Sequence, residues 1–328
     1  MIEIEQDDWD HLELIARGAV VSAGVAAMGY YRGALAANTI LENNLSPVTL
    51  ADTQATRDIL LNLSSRIPEI AGKLNLGMSF FAEELEKKHP SSPNDSRETH
   101  IQKIIDSAGL ISPYIKRTTE EFQESFANCI SILFDALDGT TNFRAGIPFF
   151  SSAIAFFIHG KPCVGAIYDP LHNLVYYGSL RLDRDGNTDS CTAYAWQVQS
   201  GNLIDLKCVN RTCTPNNLIA THLTRSHLAK RSDMIKKLEK LTENSEGTYM
   251  FNAGQLALAY IASGHLTAFI NNHTNIWDVA AGDVIVSATG GKVTDFSGNP
   301  INYGKNAKID VVASSDYEIF EKILSIIN

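Results

Sequence analysis

Asp135 and Asp138 stand three residues apart at the end of an apolar run, Ile130-Ser131-Ile132-Leu133-Phe134, and are followed at once by Gly139, Thr140 and Thr141. Carboxylates at this spacing reach one centre from a tight turn. The carbonyl of Leu137 between them can point the same way, a donor set that suits a hard divalent cation. Gly139 lets the backbone come close to a ligand. The amides of Gly139, Thr140 and Thr141 are placed to open a helix and present donors to a phosphate oxygen. The same residues also fit an Asp-rich turn that merely caps a helix. Two other acidic segments stand far away in sequence. In Trp277-Asp278-Val279-Ala280-Ala281-Gly282 a carboxylate begins a run of small and aliphatic residues, and in Phe80-Phe81-Ala82-Glu83-Glu84 two carboxylates end an apolar run. Taken singly, the first reads as an N-cap and the second as a surface pair.

The elements that must bring these segments together follow from apolar periodicity. A helix is expected over 12–31, with Ala16, Ala19, Ala23 and Ala27 on one stripe, and a second over 51–67. Between them, 44–49 reads as a loop with a short extended piece, because Pro47 pushes Ser46 out of helical geometry. Residues 86–127 are polar and irregular, a loop or lid with one helix near 99–107. A strand over 130–134 stops at Asp135, and 151–158, 162–168 and 174–178 form a meander. After a polar stretch over 183–206 come a strand at 219–221, helices at 232–241 and 256–263, a strand at 266–270, a helix at 279–289 and a strand at 292–294. Strand runs followed by alternating strands and helices indicate a layered α+β or α/β protein.

Composition narrows the function. The 328 residues carry a formal net charge of -10 with 45% hydrophobic residues. Such a balance argues against a nucleic-acid polymer as the main partner, which would want clustered Lys and Arg. It leaves room for a small phosphorylated substrate bound through cations. The N-terminal segment is acidic, unlike a secretory signal, and the longest apolar stretches fall far short of the roughly 20 residues of a membrane span. Cys129, Cys163, Cys191, Cys208 and Cys213 are odd in number and scattered, and read as reduced thiols of a cytoplasmic protein. Asp183-Arg184-Asp185-Gly186-Asn187 reads as a hairpin turn, and Lys230, Arg231, Lys236 and Lys237 as a solvated face. No glycine-rich dinucleotide or ATP loop is present.

Together the acidic segments resemble the inositol monophosphatase family of lithium-sensitive, magnesium-dependent phosphatases. The family's Asp-Pro-Ile/Leu-Asp-Gly-Thr-Thr-Asn-Phe is matched at Asp135 to Phe143 with Ala136 for Pro, and its Trp-Asp-x-Ala-Ala-Gly in full at Trp277 to Gly282. Ala82-Glu83-Glu84 matches Gly-Glu-Glu, and Val48 to Asp52 matches Val-Thr-x-Ala-Asp. The resemblance implies an α-β-α-β-α sandwich, with an N-terminal half over 1–180 carrying most ligands and a C-terminal half over 181–328 carrying Asp278 and the substrate pocket. It implies two or three Mg2+ ions shared by Glu83, Asp135, the Leu137 carbonyl, Asp138 and Asp278. Glu83 would orient or deprotonate the attacking water, and Thr140 paired with Asp52 would hold it. Phosphate would rest on the amides of Gly139, Thr140 and Thr141. A homodimer is also implied.

Asn271 stands where inositol-preferring members usually carry an acid that contacts substrate hydroxyls. Ser46 to Asp52, the Leu223-Thr224-Arg225-Ser226-His227 segment and the long insertion before Asp135 instead resemble 3′(2′),5′-bisphosphate nucleotidases, with Arg225 or His227 near a second phosphate. Hydrolysis of an inositol-phosphate-like monoester is the expected activity. Bisphosphate nucleotidase, sugar bisphosphatase and a binding or regulatory role are its alternatives.

Overall fold

The computed structural model describes residues 4–31, 47–86, 96–183, 186–206, 218–222 and 231–328. Small residues at helical spacing make α1 (Gln6–Tyr31) a close-packing element, and its buried stripe includes Leu12, Ile15, Ala16, Ala19 and Ala23. It lies against α2 (Pro47–Ser64) and across the first sheet. By length and composition alone α1 would cross a membrane, contrary to the expectation that no apolar stretch is long enough; half of that apolar window is buried inside the fold. The helix α2 begins at Pro47, so the extended piece expected there is a first helical turn. Proline suits that position because its missing N–H would have no helical partner. The remainder of that expectation, 44–46, lies outside the described residues.

After α3 (Ile67–Lys73) comes β1 (Gly77–Ala82), which runs parallel to β2 (Cys129–Asp138). The intervening segment holds more structure than the single helix expected. It contains α4 (Ser96–Ser107), a 3-10 turn over Gly109–Tyr114, α5 (Thr119–Glu124) and a second 3-10 turn over Ser125–Ala127. Ile104, Ile111 and Phe122 are buried there, and these short turns carry too few apolar residues each to show a period. The helix α6 (Thr140–Ala145) then leads into an antiparallel run of β3 (Ser151–Ile158), β4 (Lys161–Asp169), β5 (Leu174–Leu182), β6 (Thr188–Gln197) and β7 (Leu203–Asp205). The polar stretch 183–206 is thus largely strand. The first half of β6 and all of β7 are exposed at the sheet's edge, where polar residues are tolerated. The seven-stranded sheet therefore continues to Asp205, beyond the division expected near residue 180.

The second sheet has the order β11-β12-β10-β8-β9. It comprises β8 (Leu218–Thr221), β9 (Gly247–Met250), β10 (Ala268–Asn275), β11 (Lys292–Thr294) and β12 (Lys308–Ser314). Its helices are α7 (Arg231–Thr242), α8 (Gly254–Ala262), α9 (Ala280–Ala288) and α10 (Tyr317–Ile327). Alternation along the strands divides the core into layers. Ile130, Ile132 and Phe134 face α1 and α2, while Leu133, Ala155 and Phe157 face α8 and α9. The other side of α8 and α9 meets Ala220, Phe269 and Val311 of the second sheet, whose outer face packs α7 and α10 through Ile219, Ile270 and Val312. The result is the expected α-β-α-β-α sandwich. Gly165 of β4 makes the middle layer possible, because a Cβ there would stand 2.4 Å from the Ala281 carbonyl oxygen of α9.

Candidate metal centre

The end of β2 is shaped by a bulge. Asp135 faces Ala153 of β3 and Asp138 faces Ser151, so three steps on one strand match two on the other. A bulge bends the strand and re-aims side chains, which is how the strand passes Asp135 and ends at Asp138 instead of stopping at the first carboxylate. The Leu137 N–H donates to Asp135 Oδ1 at 3.0 Å, and Ser152 Oγ donates to the Ala136 carbonyl at 2.7 Å. The Leu137 carbonyl accepts from Thr140 Oγ1 at 3.2 Å. Gly139 takes φ +86°, a left-handed conformation, and a Cβ there would meet Ala253 Cβ and the Phe149 carbonyl oxygen at 3.0 Å each. Only glycine turns the chain into α6 at this point without strain.

The partner carboxylates come from other strands' ends. Ala82 of β1 is in register with Phe134, which brings Glu83, at the start of the 3-10 turn Glu83–Leu85, beside Asp135. Asp278 closes the 3-10 turn Ile276–Asp278 after β10, in a reciprocal capping box with Asn275. Its Oδ2 accepts from Thr274 Oγ1 at 3.0 Å and from both the main-chain N–H and Nδ2 of Asn275 at 3.1 Å. Carboxylate oxygens of Glu83, Asp135 and Asp278 all lie within 4.8 Å of one another. Asp138 borders the same cleft, with Oδ2 accepting the Gln255 N–H at 2.8 Å.

Burial and mutual repulsion dominate the electrostatics. Asp135 is pushed well above the usual carboxylate range, first by burial and then by Glu83, Asp138, Asp278 and Asp52. Asp138 is raised to about 8 by burial and Asp278, against the opposing main-chain N–H groups of Gln255, Leu256 and Gly254. Burial also raises Asp278, while Thr274, Asn275 and the charge of Lys308 hold it down. Among the described residues, no lysine or arginine lies within 4 Å of the carboxylates of Asp135, Asp138 or Asp278. Converging hard oxygens on largely buried carboxylates form a donor set that fits divalent metal ions.

The cleft of about 190 Å³ is lined by the expected Glu83, Asp135, Asp138, Gly139, Thr140, Thr141 and Asp278. Asp52 lies behind it, buried on α2 and close enough for its charge to act on Asp135. Arg225 and His227 lie outside the described residues. Asn271 is buried in β10 and does not line the cleft; neither of its amide atoms has a hydrogen-bond partner among the described residues. The register of β10 against β12 shifts between Asn271 and Thr274, and His273 takes φ +54°. That irregularity puts His273, Thr274 and Asn275 on the cleft in place of Asn271. His222, Asn252 and Lys308 also line it and were not anticipated. Asn275 alone carried a usable signal, since an Asn three residues before an acid is a capping pattern. The others depend on strand pairing that the sequence does not display.

The model of the inositol monophosphatase family matches residues 8–328. Among curated relatives, a protein named Nus factor SuhB from Pasteurella multocida is 28% identical over 169 residues, 52% of this chain and 58% of that protein. An inositol-1-monophosphatase from Caulobacter vibrioides is 27% identical over 58% of this chain and 69% of its own length. A fructose-1,6-bisphosphatase/inositol-1-monophosphatase from Thermotoga maritima is 29% identical over 53% and 60%. These matches thus span a little over half to about two thirds of the relatives. The structure of an inositol monophosphatase from Anabaena superposes with a TM-score of 0.63 at 21% identity, covering 97% of this chain and 95% of the other. That of the Bartonella henselae suhB protein gives 0.63 at 23%, covering 94% and 95%.

Proposed function

As the chain belongs to the inositol monophosphatase family, we propose that it hydrolyses a small, inositol-phosphate-like monoester with water, using Mg2+ held by Glu83, Asp135, Asp138, Asp278 and the Leu137 carbonyl. The observation that carries this reading is the convergence of carboxylate oxygens from the turn after β1, from β2 and from the turn after β10 to within 4.8 Å. When bound, the ions neutralise charge on the phosphate oxygens and make water a better nucleophile.

The chain's own groups do the positioning. Gly139, Thr140 and Thr141 line the cleft, and their main-chain N–H groups are assigned to the phosphate oxygens. Glu83 is assigned to orient the water and accept its proton. Thr140 is assigned to hold that water, with Asp52 behind it; its hydroxyl donates to the Leu137 carbonyl in this conformation. Asp278 is fixed by three hydrogen bonds to one oxygen, which leaves Oδ1 for a metal. By the same resemblance the protein is assigned as a lithium-sensitive homodimer, and by its scattered cysteines as cytoplasmic.

Bisphosphate hydrolysis is the closest alternative, supported by the Thermotoga relative's double name. A binding role without turnover is supported by relatives named as Nus factors. Retention of all four carboxylates favours catalysis. The test is phosphate release with Mg2+, with and without lithium, from inositol-1-phosphate, fructose-1,6-bisphosphate and 3′-phosphoadenosine-5′-phosphate. Metal-dependent release from one of them supports the reading and fixes the substrate class; release that is indifferent to Mg2+ and chelator overturns it.

A further inference from the structure

The acid-lined cleft has a basic wall. Lys308 opens β12, paired across the sheet with Asn275 of β10, and its ammonium donates to Asn275 Oδ1. A neutral amide oxygen therefore holds this exposed cation, and among the described residues it has no carboxylate within 4 Å. His273 stands next to it on the bulge of β10. Its left-handed backbone is uncommon for a residue with a Cβ, and its N–H is tied to Asp310 Oδ1 at 2.7 Å. The bulge and this hydrogen bond fix the direction in which the His273 side chain leaves the strand. His273 and Lys308 line the metal cleft and also a neighbouring cavity of about 420 Å³. They are the shared wall between the two spaces.

The neighbouring cavity is polar, with Ser297, Asn302, Asn306, Asp295 and Asp310 on its lining. Both acids are already engaged by main-chain donors. Asp295 accepts from the N–H groups of Ser297 and Asn299, and Asp310 from that of His273. A ligand extending from the carboxylate cluster into this space passes Lys308 first.

We propose that Lys308 and His273 form a subsite for a second anionic group on the substrate, so that the protein prefers phosphate esters bearing a further phosphate or carboxylate. The inference rests on the phosphatase reading only for the placement of the first phosphate at the carboxylates. Lys308 supplies the charge and His273 a polar edge; the cleft between them and the carboxylates holds the carbon skeleton joining the two anions, and the adjoining cavity takes whatever extends beyond the second one. If Lys308 were only a counter-charge for Asp278, ligands with one and two anions would lose affinity equally on its removal.

Binding of non-hydrolysable ligands tests this without relying on turnover. Calorimetry in Mg2+ compares alkyl phosphonates with bisphosphonates whose groups are separated by two to six carbons, and with phosphonocarboxylates of the same lengths. At one spacing a doubly anionic ligand should bind at least tenfold tighter than its singly anionic match. Lys308→Met should collapse that ratio to within about twofold, and Lys308→Arg should restore most of it. Whichever of the phosphonate and carboxylate arms shows the larger ratio identifies the second group. No advantage at any spacing, or an advantage that survives Lys308→Met, overturns the proposal. Turnover of p-nitrophenyl phosphate by the same wild-type preparation is the separate check: its absence counts against the phosphatase reading and leaves the binding ratio to stand or fall alone.

Discussion

Gln255 donates its main-chain N–H to Asp138 Oδ2 at 2.8 Å, from the first turn of α8. The same residue's side chain donates to the Trp277 carbonyl at 2.6 Å and accepts the Gly282 N–H at 2.8 Å. One buried glutamine therefore ties a carboxylate at the end of β2 to the turn that carries Asp278, fixing the relative positions of two acids that line one cleft.

Replacing Gln255 with Leu should destabilise the protein by about 2–4 kcal/mol, because it leaves the Trp277 carbonyl and the Gly282 N–H buried without partners. Denaturant unfolding measures the loss. Mg2+ affinity should fall as well, since the Asp278 turn is no longer held against Asp138. An unchanged unfolding midpoint would show that the bridge is dispensable.

Asp135→Asn should stabilise the metal-free protein while removing its response to metal. Asp135 is disfavoured as a carboxylate by burial and by four neighbouring acids, so a neutral amide relieves on the order of 1–2 kcal/mol in chelator at mildly alkaline pH. The melting temperature in EDTA should rise, and the increase that Mg2+ gives the wild type should shrink. A lower melting temperature in EDTA would contradict the repulsion argument.

Gly139→Ala should cost at least about 1–2 kcal/mol, from the left-handed conformation alone. The added methyl would also press on Ala253 and the Phe149 carbonyl. Phosphate release should fall by more than tenfold, because the turn that presents the Thr140 and Thr141 amides must move. Retention of wild-type rate and stability would place the phosphate elsewhere.

Asp283 predicts an acid-side pH dependence separate from the metal cluster. Its carboxyl accepts from the Tyr303 hydroxyl at 2.8 Å and Ser287 Oγ at 3.1 Å, yet burial still raises it to about 6. The folded state thus holds its proton more tightly than the unfolded chain, whose value is about 4. The contribution is complete below about 4 and is lost as pH rises through about 6, a change on the order of 1–3 kcal/mol. Asp283→Asn should flatten that part of the stability profile relative to wild type when unfolding is followed from pH 4 to pH 7. Parallel profiles for the two proteins would refute it.

Local chemistry was legible in the sequence and its assembly less so. Asp135 to Phe143 announces itself because residue type and spacing within a turn decide its geometry, whereas Trp277 to Gly282 reads singly as an N-cap and gains meaning only beside it. Glu83 is ordinary until β1 pairs with β2 and carries it beside Asp135. His273 and Lys308 are more remote still, since their approach depends on a bulge in β10 and on its register with β12, 33 residues away. Asn271 shows the same limit from the other side. Its position in the motif pointed to the substrate, but the bulge that follows keeps it buried. The strands over 188–205 were hidden because edge strands with solvated faces lack an apolar run.

The account turns on whether the carboxylate cluster performs metal-dependent hydrolysis. The most direct measurement is the rate of phosphate release as Mg2+ is titrated from chelated to saturating levels, for the wild type and for folded Asp135→Asn and Asp278→Asn. The account predicts a saturable rise from a near-zero baseline in the wild type and no rise in either variant. Wild-type turnover by either variant at saturating Mg2+, or a wild-type rate that ignores the metal, would contradict it.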